Sequence, residues 1–144
     1  MVCRRLCLHA LADLRYWYGF DQERRPILWV HPTRKDWKNL DVTAEINLHV
    51  AMIEFGLSMM PEGVTTFTVI AHTHGLGFEH VNAGFGKALL KVITVGYPDR
   101  LGALYAGPTG TALRTIFSLL SPLMAKRLAE KINLVGNPKK LVLP

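Results

Sequence analysis

Two cysteines are too few to staple a fold. Cys3 and Cys7 stand four apart near the start of the 144 residues, with no second pair. Neither a disulfide framework nor a cysteine-based metal site is expected, and a reducing cytosol fits. Uninterrupted apolar runs of about 18 residues are also missing, so no transmembrane helix is expected. Arg4-Arg5 before Leu6–Ala12 resembles a signal peptide only faintly. The run is short, holds His9 and is cut off by Asp13 and Arg15, so it is not read as one. Charge is scarce at 19%, whereas hydrophobic residues reach 49%, a balance that excludes disorder. Acids are the scarcer sign, 11 against 17 Lys and Arg, leaving a net charge of +6.

That basic excess suits an anionic membrane surface. Nucleic acid does not follow, because the cations come in dispersed pairs with no aromatic RNA-binding signature and no zinc-finger spacing. No Gly-x-Ser-x-Gly elbow or Cys/His pair suggests nucleophilic catalysis. Gly75-x-Gly77 lies between a strand and a helix like a dinucleotide turn, but His80 holds the third glycine position and no acid follows at the needed distance. No covalent chemistry and no cofactor are expected.

The periodicity gives alternating strands and helices. Val2 to Tyr18 reads as a helix with Leu6, Ala10 and Leu14 on one stripe. Pro26 to Val30 reads as a strand, and Asp41 or Thr43 caps a long helix running to about Met60, apolar over more than one stripe. Thr65 to Ala71 is rich in β-branched residues and reads as a strand. Asn82 caps an amphipathic helix running to Val95, with Phe85, Leu89 and Val92 on one face. Ala103 to Ala106 and Ile132 to Val135 read as further strands, separated by helices over Thr111 to Leu120 and Leu123 to Lys131. This alternation implies an α/β fold, a mainly parallel sheet covered by helices. There is no internal repeat, low-complexity tract or linker. The expected organisation is an N-terminal helical segment over residues 1–19 and one domain over 20–144.

The stretch Gly96-Tyr97-Pro98-Asp99-Arg100-Leu101-Gly102 organises the rest. Gly96 can take the left-handed conformation that ends a helix, and Pro98 cannot continue one. The turn is expected to aim Asp99 and Arg100 at the sheet edge where ligands sit.

Several pieces, in order, resemble the CRAL-TRIO family, the lipid-exchange fold of phosphatidylinositol and tocopherol transfer proteins. Asp21 followed by Arg25-Pro26-Ile27 resembles "D-x-x-x-R-P-V", and Tyr97 to Gly102 resembles "Y-P-E-R-L-G". Gly107-Pro108 resembles "N-A-P", Leu120 to Leu123 resembles "V-K-P-F-L", and Lys131-Ile132 with Val135-Gly136 resembles "K-I-x-x-x-G". The likeness covers roughly residues 20–140. His72 stands where the family has an aspartate, and nothing after Leu141 to Pro144 matches the family's closing strand, so the domain reads as shortened at its C-terminus.

The resemblance implies an apolar lipid cavity between the sheet and a mobile gate helix. Thr111 to Leu120 matches that gate, and Leu113, Ile116, Phe117 and Leu120 are its expected gate and cavity residues. Each buried methylene stabilises by about 0.8 kcal/mol, so a ~16-carbon chain gains on the order of 12 kcal/mol against water. By composition alone the segment reads equally as a core helix. The resemblance also implies that Asp99, Arg100 and Lys131 meet a phosphoinositide headgroup, the acid accepting inositol hydroxyls and the cations meeting phosphate. Without the resemblance, Asp99 and Arg100 read rather as a structural turn pair and Lys131 as a solvated helix end; with it, the two readings stand level. The expected function is lipid binding and exchange by a cytoplasmic, peripherally membrane-associated protein. An adaptor binding a protein partner is the alternative. The third reading is a metal-dependent hydrolase on His72 and His74, two histidines that point the same way at a strand end.

Overall fold

The structure is a computed structural model that describes residues 14–136. Five strands form one sheet in sequence order: β1 Arg15–Phe20, β2 Pro26–Val30, β3 Phe67–His72, β4 Leu101–Gly107 and β5 Ile132–Leu134. β1 runs antiparallel to β2, and every later pairing is parallel. The helices are α1 Val42–Ser58, α2 Ala83–Lys91, α3 Thr111–Leu120 and the short α4 Lys126–Ala129. The expected α/β class with a mainly parallel sheet is what the chain adopts.

Paired residues share a face of the sheet, so Leu28, Val69, Leu104 and Ile132 point to one side. On that side Ile53 of α1 packs with Phe67 and Leu101, and Trp17, Leu57, Val69 and Leu128 close around them. The Trp17 ring lies so close to α1 that a β-carbon at Gly56 would fall inside it, which is why α1 carries a glycine there.

The caps follow the sequence. Asp41 Oδ1 accepts from the Ala44 N–H at 3.0 Å to start α1, and Asn82 Oδ1 accepts from the Phe85 N–H at 2.8 Å to start α2. The Asp21-to-Pro26 motif proves to be a pinned turn. Asp21 accepts from Arg25 Nε at 2.6 Å and from the Thr68 hydroxyl at 2.7 Å, tying the β1–β2 turn to β3. Burial works to raise the Asp21 pKa, but the hydrogen bonds from Thr68 and Arg25 outweigh it and hold the carboxyl below its ordinary value.

Three expectations are corrected. The N-terminal helix does not extend to Tyr18: Arg15–Phe20 is a strand, and its aromatic run Tyr16-Trp17-Tyr18 suits a pleated surface better than a helix. The rest of that expected helix, with Cys3 and Cys7, lies outside the described residues, as does the segment from Asn137 to Pro144. Gly96 does not supply the left-handed residue. The chain leaves α2 through a π-helical turn, Val92–Gly96, closed by the Tyr97 N–H on the Val92 carbonyl at 3.1 Å. The positive φ falls on Asp99 instead, at 57°, a conformation aspartate tolerates better than most residues. Finally, Asp99 and Arg100 precede β4, so they stand at the amino end of the parallel strands. The edge where ligands of open α/β sheets sit is the opposite one, where His72 ends β3 and His31 and Pro108 follow β2 and β4.

Candidate functional site: an apolar cavity under α3

A cavity of about 240 Å³ lies between the sheet, α2 and α3. Its floor is Leu101, Leu104 and Ala106 of β4 with Ile132 and Leu134 of β5. Phe85, Leu89, Leu90 and Ile93 form one wall. The roof is Leu113, Ile116, Phe117 and Leu120, the four side chains that the sequence singled out on α3. Within α3 only Ala112 is fully buried. The four roof residues are half-buried and line this hollow. A void bordered this completely by hydrocarbon binds water poorly and apolar matter well.

A second cavity, of about 200 Å³, adjoins the first and shares Ile93, Leu101 and Leu128 with it. Its polar side chains include Asp99, Arg127 and Lys131. Asp99 Oδ1 meets Arg127 Nη2 at 2.9 Å and Lys131 Nζ at 3.8 Å. The structure thus brings Asp99 and Lys131 together. Arg100 is directed elsewhere: its Nη1 donates to the Thr65 carbonyl at 3.1 Å, and Arg127 stands beside Asp99 instead. Sequence reading passed over Arg127, which lies on α4, whereas Lys131 follows in the turn between α4 and β5. Tyr97, also on this cavity, donates its hydroxyl to Glu54 at 2.5 Å. Burial and the Glu54 carboxylate push the Tyr97 pKa up to about 12.

Residues 13–143 match the family model described as the CRAL/TRIO domain. The chain belongs to the CRAL/TRIO domain family. Members of this CRAL/TRIO family bind lipids or other small hydrophobic molecules and transfer them; they are not in general enzymes. A CRAL-TRIO domain-containing protein of Schizosaccharomyces pombe is 27% identical over 115 residues, which is 79% of this chain and 11% of that protein. The crystal structure of Sfh5 superposes with a TM-score of 0.75 at 16% identity, covering 92% of this chain and 50% of that one. The chain therefore spans a small part of the first relative and half of the second.

At the carboxyl edge, the His31 and His72 rings lie 5.6 Å apart between centroids, and His72 and His74 lie 6.3 Å apart. Among the described residues no three His, Cys, Asp or Glu side chains are grouped to hold a metal ion. Among them, too, no helix is long and apolar enough to cross a membrane.

Away from both cavities, or bordering them only through aromatic rings, lies a buried charge cluster that periodicity did not reveal. Arg15, 2% exposed, is ion-paired with Glu45, and Lys35 Nζ meets the same carboxylate at 2.6 Å. His49 lies against them, with Nδ1 2.9 Å from the Glu45 carbonyl. Burial, and then the Arg15 guanidinium, push its pKa down to about 4, so it is neutral near pH 7.

Proposed function

We propose that this domain binds a phosphoinositide-type lipid or another hydrophobic molecule beneath α3 and exchanges it at membranes, without covalent chemistry. The observation that carries the reading is the join between the two cavities. One is lined almost wholly by hydrocarbon, and the next holds Asp99, Arg127 and Lys131. An amphiphile needs that combination. Its chain leaves water in the first, and its headgroup meets an acceptor and two cations in the second. The pocket, open to solvent on one side, covers a single chain segment, and movement of α3 would make room for a second chain of a diacyl lipid.

The surface next to α3 suits that movement at a membrane. Leu119 and Leu123 are each 54% exposed, close in sequence to the exposed Lys126 and Arg127. Apolar side chains beside cations dock on anionic lipid, each well-placed cation adding about 1 kcal/mol. A cytoplasmic, peripherally bound protein is the setting proposed.

Vesicle-to-vesicle transfer of labelled phosphatidylinositol, with phosphatidylcholine as comparison, tests the reading. The parent chain moves phosphatidylinositol. Asp99→Asn retains the side chain's size and tolerance of positive φ, and Lys131→Ala removes the ammonium. Each lowers phosphatidylinositol transfer about tenfold and leaves phosphatidylcholine unaffected. A delipidated chain that neither carries nor moves any lipid overturns the proposal.

A further inference from the structure

The apolar cavity has one polar end. Apart from Trp37, His80 and Asn82, every lining residue is aliphatic, Phe or Gly, or Met124. Trp37 already spends its indole N–H on the Pro32 carbonyl, at 2.8 Å. His80 and Asn82 have each spent an acceptor. The Gly77 N–H donates to His80 Nδ1 at 2.9 Å, which assigns the proton of the neutral ring to Nε2. The Phe85 N–H occupies Asn82 Oδ1 at 2.8 Å. What remains for a ligand is an imidazole N–H and an amide NH2, donors at the same end.

A positive charge stands behind them. Lys35 Nζ lies 4.2 Å from the centre of the Phe85 ring and 4.9 Å from that of Trp37, the two aromatic rings lining this end. Lys35 shares Glu45 with Arg15, and His49 beside them is neutral. Two cations against one anion leave the cluster one positive charge in excess. It is buried, and among the described residues no further acid joins these ion pairs and Arg15 Nε has no hydrogen-bond partner. Glu79, the other nearby carboxylate, lies 3.7 Å from His80 Nδ1, but its side chain is 73% exposed and screened by water. Two free donors, backed by a buried cluster with one cation in excess among the described residues, suit a group that accepts and carries negative charge.

We propose that the Trp37 end of the cavity is a carboxylate site, which takes the acid terminus of a single-chain alkanoate lying under α3. The volume sets how much of the chain the pocket covers. At roughly the 30 Å³ that a water molecule occupies in the liquid, 240 Å³ holds about eight methylenes, the length of a medium-chain acid. The inference rests on the cavity being a hydrophobe site, as proposed above, and it assigns a ligand class distinct from the phosphoinositide headgroup at Asp99.

Calorimetry of the delipidated full chain with decanoate and with decanol, at pH 8 and fixed ionic strength, tests it. The two probes share a chain and differ in the charged terminus. Decanoate is expected to bind at least tenfold more tightly than decanol. Lys35→Met keeps an unbranched side chain and removes the charge, and it brings decanoate down to the affinity of decanol. Asn82→Ser retains a capping oxygen and removes the amide donors, so it lowers the preference even if the Lys35 variant fails to fold. Decanol binding as well as decanoate, or a preference that survives both substitutions, overturns the carboxylate site and leaves the cavity reading standing. Binding of neither probe to the parent chain overturns both.

Discussion

Ala106→Phe tests whether ligand enters the volume under α3 or binds elsewhere. Ala106 sits on β4 between Ala71 and Leu134, is 4% exposed, and forms part of the cavity floor. The substitution adds six carbons directly into the hollow. A space for about eight methylenes then has room for about two. At about 0.8 kcal/mol per buried methylene, the lost burial is about 5 kcal/mol, a fall in hydrophobe affinity of more than a thousandfold. The fold tolerates the change better than a packed core does, because the ring occupies existing space. The folding cost stays below about 2 kcal/mol. Displacement of a fluorescent alkyl probe measures the affinity, and a thermal melt of the same sample confirms folding. A folded Ala106→Phe protein that binds the probe as tightly as the parent refutes the reasoning, since the ligand then lies outside this cavity.

Other predictions rest on single contacts. Gly56→Ala drives a methyl into the Trp17 ring and displaces the indole from its hydrogen bond to the Met52 carbonyl, so the melt shows a loss of about 1–3 kcal/mol despite the better helix propensity of alanine. His49 is held near pKa 4 when folded and titrates near 6.5 when unfolded. Its stabilisation is therefore complete above pH 6.5 and is lost as pH falls from there towards 4, about 3 kcal/mol over the window; urea midpoints across that range measure it, and His49→Gln flattens the profile. Asp21 is also lowered, but from a carboxylate value, so its contribution is complete above the ordinary Asp range and disappears only as pH falls below 3.8. Asp21→Ala strands the Arg25 guanidinium and the Thr68 hydroxyl, at a cost of about 3 kcal/mol in the same urea assay at pH 7.

Local patterns in this chain were legible where one short segment determines its own state. The α3 boundaries at Thr111 and Leu120 follow from the Gly-Pro break before and the Ser-Pro pair after. Asn82 and Asp41 cap where short polar side chains precede apolar runs. The four roof residues fall on the cavity because their spacing puts them on one helical face. Legibility failed where partners are distant in sequence. Nothing near Arg15 indicates that it is buried against Glu45 and Lys35, since that depends on how β1, α1 and the loop before α1 come together. The β1 strand was masked by a helical stripe continuing from upstream, and only Tyr16-Trp17-Tyr18 indicated otherwise. The free donors at the polar end of the cavity depend on which side-chain acceptors backbone groups occupy, which no side-chain pattern records.

Native mass spectrometry of the delipidated chain, recovered after equilibration with vesicles of mixed phospholipids and alkanoates, is the most direct test of an exchangeable hydrophobe site. The account predicts one amphiphile bound per chain, absent from Ala106→Phe handled in parallel. A chain that returns from the vesicles at its bare mass contradicts it.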